Sequence, residues 1–286
     1  TVAAELDFSK VNFNKLNLDN LEDINDLNFA SLGKNYKKLK WNQINYSDLS
    51  DASKEAIDWS KVNFNKATKS TTFDLDDVDW AELNSSKAST KAYKIIQNKY
   101  LSVPAGGISL LNNDDLISSD LASKLDYSKI NFNKFSPSIL SDINSINFAS
   151  LGKNYKKLKW DQINYSSLNA DSKDDIDWTK VNYKKASKST NFDLTAVDWT
   201  ELNASKSAAK SYKAIDWDDL SISSDIITEL DYAKIKNFKN FTPSNLTEVF
   251  VEMDFTSFTD QQYKDFRWDK IDYSLFGDYP GFFSGS

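Results

Sequence analysis

The chain has 286 residues, 40% of them hydrophobic and 14% aromatic, which supplies ample material for a core and excludes the composition of a disordered segment. Seven Gly and four Pro exclude a collagen-like or linker-like chain, and a net charge of -7 with Arg267 as the only arginine argues against a reader of nucleic acid. Neither Cys nor His is present, which removes disulfides, thiolate chemistry and the commonest general base and metal ligand, and no run approaches the roughly 20 apolar residues of a membrane span.

No leader is read at Thr1, so a mature chain or an excised fragment is expected. From Leu6 onward one short motif recurs: apolar-x-x-aliphatic-Asn/Asp-aromatic-x-x-apolar. It reads Phe8-x-x-Val11-Asn12-Phe13-x-x-Leu16, then Ile24-x-x-Leu27-Asn28-Phe29-x-x-Leu32, Trp41-x-x-Ile44-Asn45-Tyr46-x-x-Leu49, Trp59-x-x-Val62-Asn63-Phe64-x-x-Ala67 and Leu75-x-x-Val78-Asp79-Trp80-x-x-Leu83. The aliphatic anchors at 11, 27, 44, 62 and 78 lie 16 to 18 residues apart. Spacings of 3, 2 and 3 scatter around an α-helix, whereas aliphatic-x-aromatic fits a very short strand with two inward side chains. Polar stretches such as Ser50 to Ile57 carry helix-start chemistry. Each repeat is therefore expected to be a short strand plus a helix of about two turns, stacked on its neighbours as an α/β solenoid. The alternative is an all-α solenoid in which the aromatic segment is a tight turn.

Residues 97–112, with Pro104-Ala105-Gly106-Gly107, have no counterpart further on and read as an inserted loop or hinge after a first block at 1–96. A second block at 113–229 repeats the first at an offset of 119 residues. The fourteen residues NFASLGKNYKKLKW recur unchanged at 28–41 and 147–160, and the anchors return at 130, 146, 163, 181 and 197, followed by Ile215-Asp216-Trp217. Within this block Ser136-Pro137 places a cap residue before a first-turn Pro, and Asn203 to Lys210 again reads as a helix start. A shorter, divergent third block at 230–286 reads as a cap. It opens with Leu230-Asp231-Tyr232, carries an extra residue at Lys236 expected to form a bulge, and contains Thr242-Pro243 and a capping box at Thr259-x-x-Gln262. It adds Met253-Asp254-Phe255 and Ile271-Asp272-Tyr273, and Tyr263 to Trp268 echoes Tyr36 to Trp41.

The motif Trp59-x-x-Val62-x-Phe64 resembles leucine-rich repeats in spacing, although Leu49, Ala67 and Leu83 stand where that family places Asn. Leu6-Asp7-Phe8-Ser9-Lys10 followed by Val11-Asn12-Phe13-Asn14-Lys15 resembles pentapeptide repeats, in runs that break after two to four units. The whole composition is similar to the repeat arrays of large secreted or surface bacterial proteins. That resemblance implies an extracellular or cell-surface location.

Two features invite a functional reading. The Asn/Asp before each motif aromatic (Asn12, Asn28, Asn45, Asn63, Asp79, Asn131, Asn147, Asn164, Asn182 and Asp198) would form an exposed ladder facing Ca²⁺ or a surface glycan. Ca²⁺ requires six to eight oxygens, and Asn often replaces Asp here, so the other reading is hydrogen bonding to the local backbone. The C-terminal aromatics Tyr279, Phe282 and Phe283 lie outside the repeat and read either as a docking segment or as a hydrophobic lid on the last coil. The tryptophans all occupy motif positions and are expected in the core. The pairs Asp76-Asp77, Asp174-Asp175 and Asp218-Asp219 differ between copies and read as a solvated face. With no nucleophile elbow, phosphate loop or His, the expectation is a structural protein rather than an enzyme, without a cofactor. Its first partner is other copies of itself, in a filament, sheath or layer, and the alternative is an adhesin or ligand-binding module.

Overall fold

The computed structural model describes residues 6–13, 15, 27–102, 116–218 and 220–276. The chain is a succession of short helical turns joined by links that recur at two residues and elsewhere run to nine. The stretch Trp41–Gln43 is one 3₁₀ turn. Ile44 (φ -67°, ψ 129°) and Asn45 (φ -89°, ψ 94°) then run extended, and Tyr46–Asp48 forms the next turn. The second copy repeats this over Trp160–Gln162, Ile163, Asn164 and Tyr165–Ser167. A 3₁₀ helix has three residues per turn, so residues three apart lie on one face. That explains the motif spacing: each step of 3 is one turn, and the step of 2 is the extended link.

This geometry corrects the expected α/β class. The aliphatic-Asn-aromatic segments have extended dihedrals but build no sheet. Extended pairing among the described residues is confined to an isolated parallel bridge, Ile117 with Leu140. A strand needs a neighbouring ladder to take its N–H and C=O groups. Here each turn closes its own i to i+3 bonds, as in Leu49 N to Tyr46 O at 3.3 Å, and no row of donors is left to pair. The all-helical alternative is compatible with this arrangement, with the aromatic segment linking helical turns.

Two compact units divide the chain, residues 1–154 and 155–286, and the boundary falls inside the fourteen-residue segment shared by the two copies. The longest described helix, Ser89–Tyr100, runs on through Gln97 into the stretch expected as a loop; residues 103–112 lie outside the described residues. Ser50 caps Asp51–Glu55 by accepting from Ser53 N, Ser136 precedes a turn with Pro137 at its first position, and Thr259 and Gln262 form both halves of a capping box. Thr242-Pro243 lies in a link, three residues ahead of the helix that starts at Leu246. The extra Lys236 lengthens a link between the turns Tyr232–Lys234 and Phe238–Asn240; with no sheet among the described residues it is not a β-bulge.

Within each unit, turns meet others 19 to 45 residues further along, a longer step than the motif spacing. Asn35 Nδ2 donates to Phe8 O at 2.7 Å and Val11 O at 3.0 Å, and Asn154 does the same to Tyr127 O and Ile130 O. In the third block Gln262 Nε2 takes this role toward Tyr232 O at 2.7 Å and Ile235 O at 3.1 Å. Gly33 and Gly152 precede these amides at φ 50°, and a Cβ on Gly152 would sit 3.3 Å from Ser128 Cβ. A left-handed residue pressed against the neighbouring turn favours glycine.

The buried aromatics use their polar tips in one recurring way. Trp41 Nε1 donates to Tyr36 O at 2.8 Å, Trp80 to Leu75 O at 3.0 Å and Trp199 to Leu194 O at 3.1 Å, always five residues back. Tyr165 and Tyr183 hydroxyls donate to Trp160 O and Trp178 O at the same distance in sequence. Five residues is the length of one turn plus its link, so each ring tip reaches a carbonyl of the preceding turn; at Leu75 O and Leu194 O it is a second donor beside Val78 N and Val197 N. Tyr127 is an exception: its buried hydroxyl has no partner among the described residues.

Two stability outcomes follow. Asn154→Leu should lower unfolding free energy by roughly 1–3 kcal/mol in urea titration, because Ile130 O loses its donor while Tyr127 O keeps Ile130 N. Tyr127→Phe should be neutral or slightly stabilising whereas Tyr165→Phe should cost about 1 kcal/mol, since only the second removes a made hydrogen bond. Equal losses in the two tyrosine variants would contradict this assignment.

Candidate self-association surface

The Asn/Asp ladder residues stand at the starts of turns. Asn28, Asn147, Asp79 and Asp198 accept from backbone N–H groups of Ser31, Ser150, Glu82 and Glu201 at 2.8 to 3.2 Å. Asn131 accepts from Asn133 N at 3.0 Å, and Asn45 and Asn164 accept from the hydroxyls of Ser47 and Ser166. Asn63 and Asn182 occupy the same N-cap position without a side-chain cap bond, and Asn12 is exposed after the turn Phe8–Lys10. These contacts satisfy first-turn donors within each residue's own turn. Among the described residues no three acidic side chains are grouped as a metal site would require. Tyr279, Phe282 and Phe283 lie outside the described residues.

A second pattern joins one turn to the next. Five stretches share the order aliphatic-Asp-aromatic-Ser/Thr/Ala-Lys: Leu6 to Lys10, Ile57 to Lys61, Leu125 to Lys129, Ile176 to Lys180 and Leu230 to Lys234. Asp58 N donates to Tyr36 Oη at 2.8 Å, Asp126 N to Tyr93 Oη at 2.6 Å, Asp177 N to Tyr155 Oη at 2.9 Å and Asp231 N to Tyr212 Oη at 2.9 Å. The Lys of the first three of these clasps lies over the same tyrosine ring, at 5.8, 5.9 and 5.7 Å. It also pairs with the Asp of its own turn. The aliphatic residue at the head of each clasp is 5% exposed or less, and each tyrosine 4% or less.

The next N–H along is taken by a side chain from a later turn: Trp59 N by Glu82 Oε2 at 2.9 Å, Trp178 N by Glu201 Oε2 at 3.1 Å and Tyr127 N by Ser150 Oγ at 2.9 Å. Burial, with the neighbouring Asp58 carboxylate, raises the Glu82 carboxyl, and burial with Asp177 raises Glu201. Burial also works against the Asp58 charge, but Lys61 and Ser60 outweigh it and hold the carboxyl below its ordinary value. Asp177 is lowered in the same way by Lys180 and Thr179. Within each pair the glutamate is thus the weaker acid. These groups bind backbone and lysine, an arrangement that organises turns.

The last repeat departs from this pattern on one side only. Tyr263 and Trp268 stand where Tyr36 and Trp41 stand in the first copy, and Trp268 Nε1 donates to Tyr263 O at 2.8 Å as its counterpart does. Their rings stack at 6.4 Å and 6°. Yet Tyr263 is 40% exposed, Trp268 37% and Tyr273 38%, and Val251 and Leu275 are exposed nearby. Tyr36 and Trp41 are covered by the turns that follow them: Asp58 N on the Tyr36 hydroxyl, and Phe64–Ala67 packed on Trp41–Gln43. Sequence reasoning had located the buried tryptophans and the echo at Tyr263 to Trp268, but placed Trp268 in the core with the rest. The missed signal was the lack, among the described residues, of an aliphatic-Asp-aromatic-x-Lys turn after Tyr263; Ile271-Asp272-Tyr273-Ser274 is followed by Leu275.

Comparison of the chain with family models, with curated proteins and with solved structures returned no match. No described helix is long and apolar enough to cross a membrane.

The clasp tyrosines should mark the alkaline limit of the fold. Burial pushes the Tyr36 and Tyr155 hydroxyls up to about 12, with nearby carboxylates adding to it. An unfolded tyrosine ionises near 10. The folded chain therefore keeps these protons longer, and their stabilising contribution is complete below pH ~10 and lost as pH rises toward about 12. Tyrosinate absorbance of these groups should rise together with loss of far-UV circular dichroism between those values. Ionisation of all tyrosines near pH ~10 with the helical signal intact would refute the clasp.

Proposed function

We propose that the chain is a non-enzymatic structural repeat protein that associates with copies of itself, as the subunit of a filament, sheath or surface layer. The observation that carries this reading is the aromatic face of the last repeat. Tyr263, Trp268 and Tyr273 are exposed, whereas Tyr36, Trp41 and Tyr46 are buried at matching positions. Terminal repeats of stacked arrays ordinarily turn a polar face outward, because an aromatic face draws chains together. The clasp contacts support the same reading, since Glu82 and Glu201 are engaged in joining turns and Asp58 and Asp177 in pairing with the lysine of their own turn.

Sedimentation velocity over a hundredfold range of concentration tests the proposal. Growth in mean size with concentration is expected, and Trp268→Glu should reduce association by at least tenfold while leaving far-UV circular dichroism unchanged. A wild-type chain that stays monomeric throughout sinks the reading.

A further inference from the structure

We infer that the open face at Tyr263 receives the turn Leu6 to Lys10 of a second copy, so that the chains join head to tail. This rests on the self-association reading and names the partner segment. The argument is one of unmatched halves. Four of the five aliphatic-Asp-aromatic-x-Lys turns place their Asp N–H on a tyrosine hydroxyl of an earlier turn and bury their leading aliphatic residue. The fifth is Leu6-Asp7-Phe8-Ser9-Lys10. Its Leu6 is 43% exposed where Ile57, Leu125, Ile176 and Leu230 are buried, and its Asp7 N–H has no acceptor among the described residues. Otherwise the turn is built like the rest. Phe8 N donates to Ser31 Oγ at 3.0 Å as Tyr127 N donates to Ser150 Oγ, and Lys10 pairs with Asp7 at 3.0 Å as Lys129 pairs with Asp126.

The receiving half is equally complete. Tyr263 Oη donates to Phe255 O at 2.8 Å, and its lone pairs take no donor among the described residues. The internal clasps use their hydroxyls in both directions. Tyr93 Oη donates to Asn84 Oδ1 at 2.8 Å while accepting Asp126 N, and Tyr212 Oη donates to Asn203 Oδ1 while accepting Asp231 N. Tyr263 retains the accepting half of that role, beside an apolar surface from Trp268 that a leading aliphatic side chain would cover. Lys10 would then lie over the Tyr263 ring as Lys61 lies over Tyr36. The two halves are different surfaces of one chain, so the contact is heterologous and continues from copy to copy unless it closes into a ring.

A mixing experiment tests the pairing. Leu6→Glu blocks one half and Trp268→Glu the other, both at exposed positions. Each variant alone should remain monomeric where the wild type grows, and an equimolar mixture should give a 1:1 dimer and nothing larger, which also shows that both variants fold. Tyr263→Phe should weaken wild-type association roughly 5-fold by removing the accepting hydroxyl. If the wild type grows but the mixture stays monomeric with unchanged circular dichroism, the pairing is overturned while self-association stands. If the wild type is monomeric at every concentration, both fail. If it is monomeric but a Phe282→Ser, Phe283→Ser double variant grows, the chain's own terminal aromatics occupy the face, and docking between native copies is overturned.

Discussion

The constraint on which the structure depends is the fate of backbone groups in links too short to pair. A two-residue extended link between helical turns leaves N–H and C=O groups that neither turn can take, and burial makes each unsatisfied one costly. The chain satisfies them with side chains. Asn35, Asn154 and Gln262 reach back to the link carbonyls Val11 O, Ile130 O and Ile235 O and add a second donor to Phe8 O, Tyr127 O and Tyr232 O, and Tyr36, Tyr93, Tyr155 and Tyr212 accept the N–H of an Asp further on. Cohesion between turns therefore resides in specific residue types at fixed positions, whereas in a sheet it would reside in a backbone ladder that many sequences can form.

This explains why so much of the sequence repeats. In the segment shared at 28–41 and 147–160, the amide of Asn35 or Asn154 faces one neighbouring turn while the following tyrosine faces another. Ser31 or Ser150 takes an N–H from the earlier turn, the glycine admits the close approach of Ser9 or Ser128, and the tryptophan closes the carbonyl of the tyrosine. Eight of the fourteen positions are buried or half-buried, while Ala30, Gly33 and the four lysines stay exposed. Where the copies differ, the contact differs in kind: Tyr183 donates to Trp178 O, and Phe64 at the equivalent place has no hydroxyl to do so.

The repeat, the inward aromatics and several caps were legible in the sequence because each depends on residues close together. Ser50 and the box at Thr259 and Gln262 are set by neighbours within four positions. The strand reading of Val62-Asn63-Phe64 failed for a physical reason. Extended dihedrals over two residues look the same in sequence whether they belong to a strand or a link, and a spacing of 3 that scatters around an α-helix falls on one face of a 3₁₀ turn. The clasps were also hidden. Asp58 and Tyr36 are 22 residues apart, and nothing local in either marks the other as partner. They emerge only when the aliphatic-Asp-aromatic-x-Lys stretches are lined up with the tyrosines that receive them.

The direction built into these contacts decides how the ends behave. A turn presents a donor half through its Asp N–H and a receiving half through a tyrosine on a later turn, and the two are not interchangeable. In an array joined this way every interior half is matched, and any free halves must come as one of each kind. That is the situation of Leu6 to Lys10 and of Tyr263. The third block could have lost its aromatic pair at no cost to the backward contact, since Gln262 alone reaches Tyr232 O and Ile235 O. It carries Tyr263 and Trp268 regardless, stacked and bonded as their buried counterparts are. One side of this pair packs on Phe250, Phe255, Phe258 and Phe266 of its own chain, and the exposed side is the surface that the proposed head-to-tail contact would cover.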